Sequence, residues 1–112
     1  MEKIAFLFPG QGAQKLGMLS ELAAQFPIVK STFDEASQAL AYDLWEIIQK
    51  DEIKLNQTEY TQPAVLAASI AVWRIWQQRT AVRPYLVAGH SLGEYSALVC
   101  AESIDFQDAL RL

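Results

Sequence analysis

Gly89-His90-Ser91-Leu92-Gly93 has the spacing G-x-S-x-G. Glycines on both sides let a chain turn sharply from a strand into a helix. Such an elbow holds the central serine strained, with its Oγ exposed at the C-terminal edge of a sheet. Ser91 is therefore the candidate nucleophile, at a helix N-terminus whose partial positive charge favours developing negative charge. The N–H of Leu92, the next residue, is a candidate oxyanion donor. The bland alternative is a tight strand–helix turn carrying an idle serine. Consecutive side chains in an elbow point apart, so His90, the sole histidine, is poorly placed to activate Ser91. It reads as a packed polar residue beside the site, with the true base expected beyond Leu112.

A second glycine-flanked segment, Pro9-Gly10-Gln11-Gly12, follows an apolar run. In an α/β sheet, loops at the C-terminal ends of strands converge on the site, so the Gln11 N–H is a candidate second oxyanion donor. Gly10 and Gly12 support that loop as Gly89 and Gly93 support the elbow; the alternative is again a plain turn. A dinucleotide fingerprint fails because Lys15 stands where glycine is needed, and a P-loop fails because Met18-Leu19 follow Gly17. Gln62 is a possible cleft residue, though a solvated or capping role competes. Glu94 reads as a helix-dipole partner, and Arg74, Arg79 and Arg83 read as solvated helix ends rather than a dock for an acidic partner. Trp45, Trp73 and Trp76 read as core. One cysteine, Cys100, cannot close an internal disulfide, and no CxxC or HExxH spacing offers a metal site.

These residues need elements to hold them. Ile4–Phe8 is a short apolar run suited to a buried parallel strand. A helical pattern runs from Leu16 through Phe26, a second starts at Pro27, and Leu44, Trp45, Ile47 and Ile48 mark a third. Asp51–Thr61 reads as a loop. Thr61-Gln62-Pro63 reads as the start of a buried helix to about Arg79, with Thr61 as N-cap. Tyr85–Ala88 is the second strand, the elbow helix reaches about Ala101, and Asp105 caps a last helix with Asp108 as a weak capping box. The two strands are separated by the 76 residues from Pro9 to Pro84. Two strands do not make a stable sheet, so the chain is expected to be the N-terminal part of one longer α/β domain. Alone, its strand edges and unmatched helix faces are expected to favour aggregation.

Composition agrees with a globular domain: 112 residues, 52% hydrophobic, 20% charged, formal charge −4. That balance argues against disorder and against generic nucleic-acid binding. No run reaches the ~20 apolar residues of a bilayer span, and no signal peptide is recognised, so a cytoplasmic, reducing setting is expected.

Three separated segments carry a resemblance: Phe8-Pro9-Gly10-Gln11-Gly12, Thr61-Gln62-Pro63-Ala64 and Ala88-Gly89-His90-Ser91-Leu92-Gly93-Glu94-Tyr95-Ser96-Ala97. Together they resemble the malonyl-CoA:acyl-carrier-protein transacylase family, the acyltransferases of bacterial fatty-acid synthesis. The resemblance covers the whole chain and about the first third of such an enzyme. It implies an α/β-hydrolase-like core, incomplete here, with the inserted ferredoxin-like subdomain absent. It implies that Ser91 takes malonyl from malonyl-CoA, that Gln11 and Leu92 supply the oxyanion amides, and that the pantetheine thiol of acyl carrier protein receives the group. It implies no metal or redox cofactor and a monomer when complete. The family's catalytic histidine and its carboxylate-binding arginine belong to its later portion, and Arg111 is not assigned that role. A serine acyl hydrolase with the same elbow and a non-catalytic truncated product are the competing readings.

Overall fold

The computed structural model describes residues 5–8, 14–79, 86–89, 99 and 105–111. In chain order the elements are β1 (Ala5–Phe8), α1 (Ser20–Gln25), α2 (Pro27–Leu40), α3 (Leu44–Lys50), α4 (Glu52–Leu55), α5 (Thr58–Arg79), β2 (Leu86–Gly89) and α6 (Phe106–Leu110). The described part is mainly helical, with one pair of strands. β1 and β2 run parallel, with Ala5 opposite Leu86, Phe6 opposite Val87, Leu7 opposite Ala88 and Phe8 opposite Gly89.

The core lies where α2 packs on α5 and α3 closes one side. Val29, Phe33 and Ala36 recur at four- and three-residue spacing along α2, and all are fully buried. α5, which packs on α2, contributes buried Ala64, Ala67 and Ala71 to the same core. Pro27 opens α2 at its first position, where its missing N–H removes no helix bond. Ala41 ends α2 in the left-handed region (φ 65°), and Ser37 Oγ accepts from the Leu44 N–H to fix the turn into α3. Trp73 is buried. Trp45 and Trp76 are half-buried against the same core, Trp45 edge-on to Phe33 at 5.2 Å between centroids.

Several expectations need correction. The first helix begins at Ser20 rather than Leu16, because residues 16–19 form a turn in which Gly17 (φ 78°) and Leu19 (φ 67°) are left-handed. Asp51–Thr61 is not a loop. Asp51 Oδ1 accepts from the Lys54 N–H to start α4, which buries Leu55, and α5 starts at Thr58. Thr61 is therefore no N-cap. It lies inside α5, fully buried, and its hydroxyl turns back to the Leu55 and Gln57 carbonyls. The Gln57 carbonyl instead receives the N–H groups of Tyr60 and Thr61. Pro63 then sits at the sixth position of α5, where its missing N–H leaves the carbonyl of exposed Glu59 without a helix donor.

The second strand ends at Gly89, one residue later than expected. Asp105 caps α6, its carboxylate accepting from the Gln107 N–H, while Asp108 pairs with Arg111 at 3.6 Å instead of closing a capping box. Arg74 is not a solvated helix end either. Its guanidinium donates to Glu35 Oε2 (2.9 Å) and Thr32 Oγ1 (3.1 Å) and lies over the Phe106 ring at 5.2 Å, tying α5 to α2 and α6. Arg79 stacks over Phe26.

Candidate active site

Parallel pairing with Phe8 opposite Gly89 makes both strands end at the same edge of the sheet. Neighbouring strands lie about 4.8 Å apart, so the two glycine-flanked segments leave the sheet from adjacent points. Gly89 itself is the last residue of β2. Gly10, Gln11, Gly12, His90, Ser91, Leu92, Gly93 and Glu94 lie outside the described residues, as do Arg83 and Cys100. Gln62 is described: it is exposed on α5, beside buried Thr61, and no described contact draws it toward another candidate.

The chain that follows the Pro9–Ala13 segment is fastened at three successive points. Gln14 Nε2 donates to Asn56 Oδ1 (3.0 Å), bridging to the end of α4. The Gly17 N–H donates to the Ile48 carbonyl of α3 (2.7 Å). Gln49 Nε2, also on α3, donates to the Met18 carbonyl (2.9 Å). Met18 and Leu19 pack against the core beside these bonds. An open depression of about 350 Å³ runs along Lys15–Leu22. It is built from this one stretch of chain and gathers none of the candidate residues. Sequence reasoning missed Gln14, Gln49 and Asn56. A helix-surface glutamine whose partner is a distant main-chain carbonyl leaves no pattern to read.

Among the described residues, no group of histidine, cysteine and carboxylate side chains could hold a metal ion, and no helix is long and apolar enough to cross a membrane. Among the described residues, the titration of Tyr42 is displaced. Burial raises the Tyr42 phenol above its usual 10.0, with Tyr60 and Glu59 adding to the effect.

The acyl transferase domain family matches residues 5–112. The chain belongs to this family. Malonyl CoA-acyl carrier protein transacylase of Salmonella typhimurium is 60% identical over 113 residues, and its Escherichia coli K12 counterpart is 58% identical. Each alignment covers 100% of this chain and 37% of the relative, so the chain spans little more than a third of those proteins. Among solved structures, a malonyl-transacylase in complex with a type II PKS acyl-carrier protein superposes with a TM-score of 0.95 at 58% identity. An acyl carrier protein S-malonyltransferase from Vibrio cholerae superposes with a TM-score of 0.94, also at 58% identity. These two matches cover 98% of this chain and 36% of the solved chains. The acyl transferase family thus accounts for the chain from β1 to α6.

Proposed function

We propose that this chain provides the nucleophile and the oxyanion amides of an acyltransferase that moves malonyl from malonyl-CoA to the pantetheine thiol of an acyl carrier protein, in fatty-acid synthesis. The observation that carries the reading is the parallel register: Phe8 and Gly89 end side by side, so the two segments rich in candidate residues start from one edge. Family membership and the relatives' names supply the reaction class.

In this reading Ser91 Oγ attacks the thioester carbonyl as its proton passes to a general base. The carbonyl oxygen becomes an oxyanion held by the N–H groups of Gln11 and Leu92. Collapse breaks the carbon–sulfur bond, coenzyme A leaves as the thiol after taking up the proton, and malonyl-Ser91 remains. The pantetheine thiol then attacks the ester carbonyl through a second oxyanion and Ser91 regains its proton, giving ping-pong kinetics. The base is a histidine of the family's later portion; Gly10, Gly12, Gly89, His90 and Gly93 shape the two segments, and Gln62 borders the cleft. Acyl transfer between thioester and serine needs no metal or redox group, and both coenzyme A and phosphopantetheine enter as substrate parts. The fold of this reading is an α/β-hydrolase-like core completed by further strands, working as a monomer in the cytoplasm.

Incubating the natural full-length protein with labelled malonyl-CoA tests the assignment. Label is expected on Ser91, discharged by a carrier-protein thiol and lost in Ser91→Ala. Label retained equally by Ser91→Ala sinks the assignment, and ester hydrolysis outpacing thiol transfer replaces it with a hydrolase.

A further inference from the structure

We infer that Gln49 is a positioning residue for the oxyanion loop. The inference rests on the functional reading above, in which the Gln11 N–H stabilises the transition state. An oxyanion amide works only when aimed at the place the developing charge will occupy, and a misplacement of about 1 Å can cost roughly a hundredfold in rate. The Pro9–Ala13 segment joins two described parts of the chain. Its upstream end is the β1 ladder to β2. Its downstream end is the 14–19 stretch, which enters α1 through two left-handed residues, Gly17 and Leu19.

A leucine at φ 67° is strained, so the stretch keeps this path only if its surroundings hold it there. The Gln49 side chain supplies one such hold. Its amide crosses from α3 to the Met18 carbonyl between the two left-handed residues, next to the Gly17–Ile48 bond made by the same helix. Gln49 is half-buried, so this bond is partly shielded from competing water. Gln49 is thus placed to set the loop's exit without touching substrate.

The test uses the full-length protein and measures each half-reaction separately: acylation by malonyl-CoA, then transfer to a pantetheine thiol. Gln49→Met keeps the side-chain length and removes the donor. Both half-reactions are expected to slow by about tenfold, because each passes through an oxyanion at the same amides, with KM for malonyl-CoA changed less than about twofold. Gln49→Lys restores a donor of similar reach and is expected to recover most of the rate. Gly17→Ala strains the same stretch from the backbone, where an added Cβ meets no atom within 4 Å, and is expected to reproduce the paired slowing. Gln49→Met rates within about twofold of the unaltered protein overturn the inference, as does a loss confined to KM or to melting temperature. If the unaltered protein forms no acyl adduct, the functional reading falls and takes this inference with it. An adduct formed equally fast by Gln49→Met removes this inference alone.

Discussion

The hydroxyl of Thr61 is fully buried and faces two main-chain carbonyls, those of Leu55 and Gln57, at the junction of α4 and α5. Replacing it with valine keeps the shape and removes the donor; the Gln57 carbonyl keeps the N–H groups of Tyr60 and Thr61, whereas the carbonyl of buried Leu55 loses the hydroxyl. Thr61→Val is expected to cost about 1–3 kcal/mol, read as a lower urea midpoint, whereas Thr61→Ser keeps the hydroxyl and costs less. An unchanged midpoint for Thr61→Val would show that the hydroxyl contributes nothing. Tyr42 makes a pH-dependent contribution. Its phenol titrates above 10.0 because burial, then Tyr60 and Glu59, disfavour the phenolate. The native state therefore holds this proton more tightly than the unfolded chain. The resulting stability is fully present below pH 10 and is lost as pH rises through the native value. Tyr42→Phe keeps the ring that stands edge-on to Tyr60 at 5.3 Å and is expected to flatten the alkaline limb of a stability–pH curve. An alkaline limb of the same slope in both proteins would refute the assignment.

At the scale of elements, Asp51 serves two helices. Its N–H bonds to the Ile47 carbonyl to end α3, and its carboxylate caps α4. A four-residue helix has little stability of its own, yet α4 buries Leu55 and leads into Asn56, which holds Gln14. Asp51→Ala is expected to cost about 1 kcal/mol, with Asp51→Asn nearly neutral, both read by urea unfolding. Equal costs for the two would show that charge rather than capping matters. α4 also shows why part of the fold was hidden in the sequence. It offers one buried side chain and no period, and Thr58–Thr61 is polar because Thr61 turns its hydroxyl back onto the preceding turn. α2 was legible because Pro27 marks a start and Phe33 and Ala36 recur at helical spacing, although Val29, which completes the buried face, was not singled out. Ser91 stands out in the sequence as a candidate because glycines bracket it, and it lies outside the described residues. Gln49 was not legible, because its partner is a carbonyl that any residue could supply.

At the scale of the molecule, the helical layer is knit by bonds between distant parts of the chain. Arg74 draws together α2, α5 and α6, and Gln14, Gly17 and Gln49 fasten the start of the chain to its middle. The strand pair spans further still, since Ala5 meets a partner 81 positions later. During synthesis at about 5–20 residues per second, Ala5 is made roughly 4–16 s before Leu86. Over that interval the helical segments from α1 to α5 are made in turn, and local contacts among the earlier ones can begin to form while the first strand has no partner. The nascent chain thus carries β1 without β2 for seconds, and the strand ends Phe8 and Gly89 can meet only after the helical segments between them have been made.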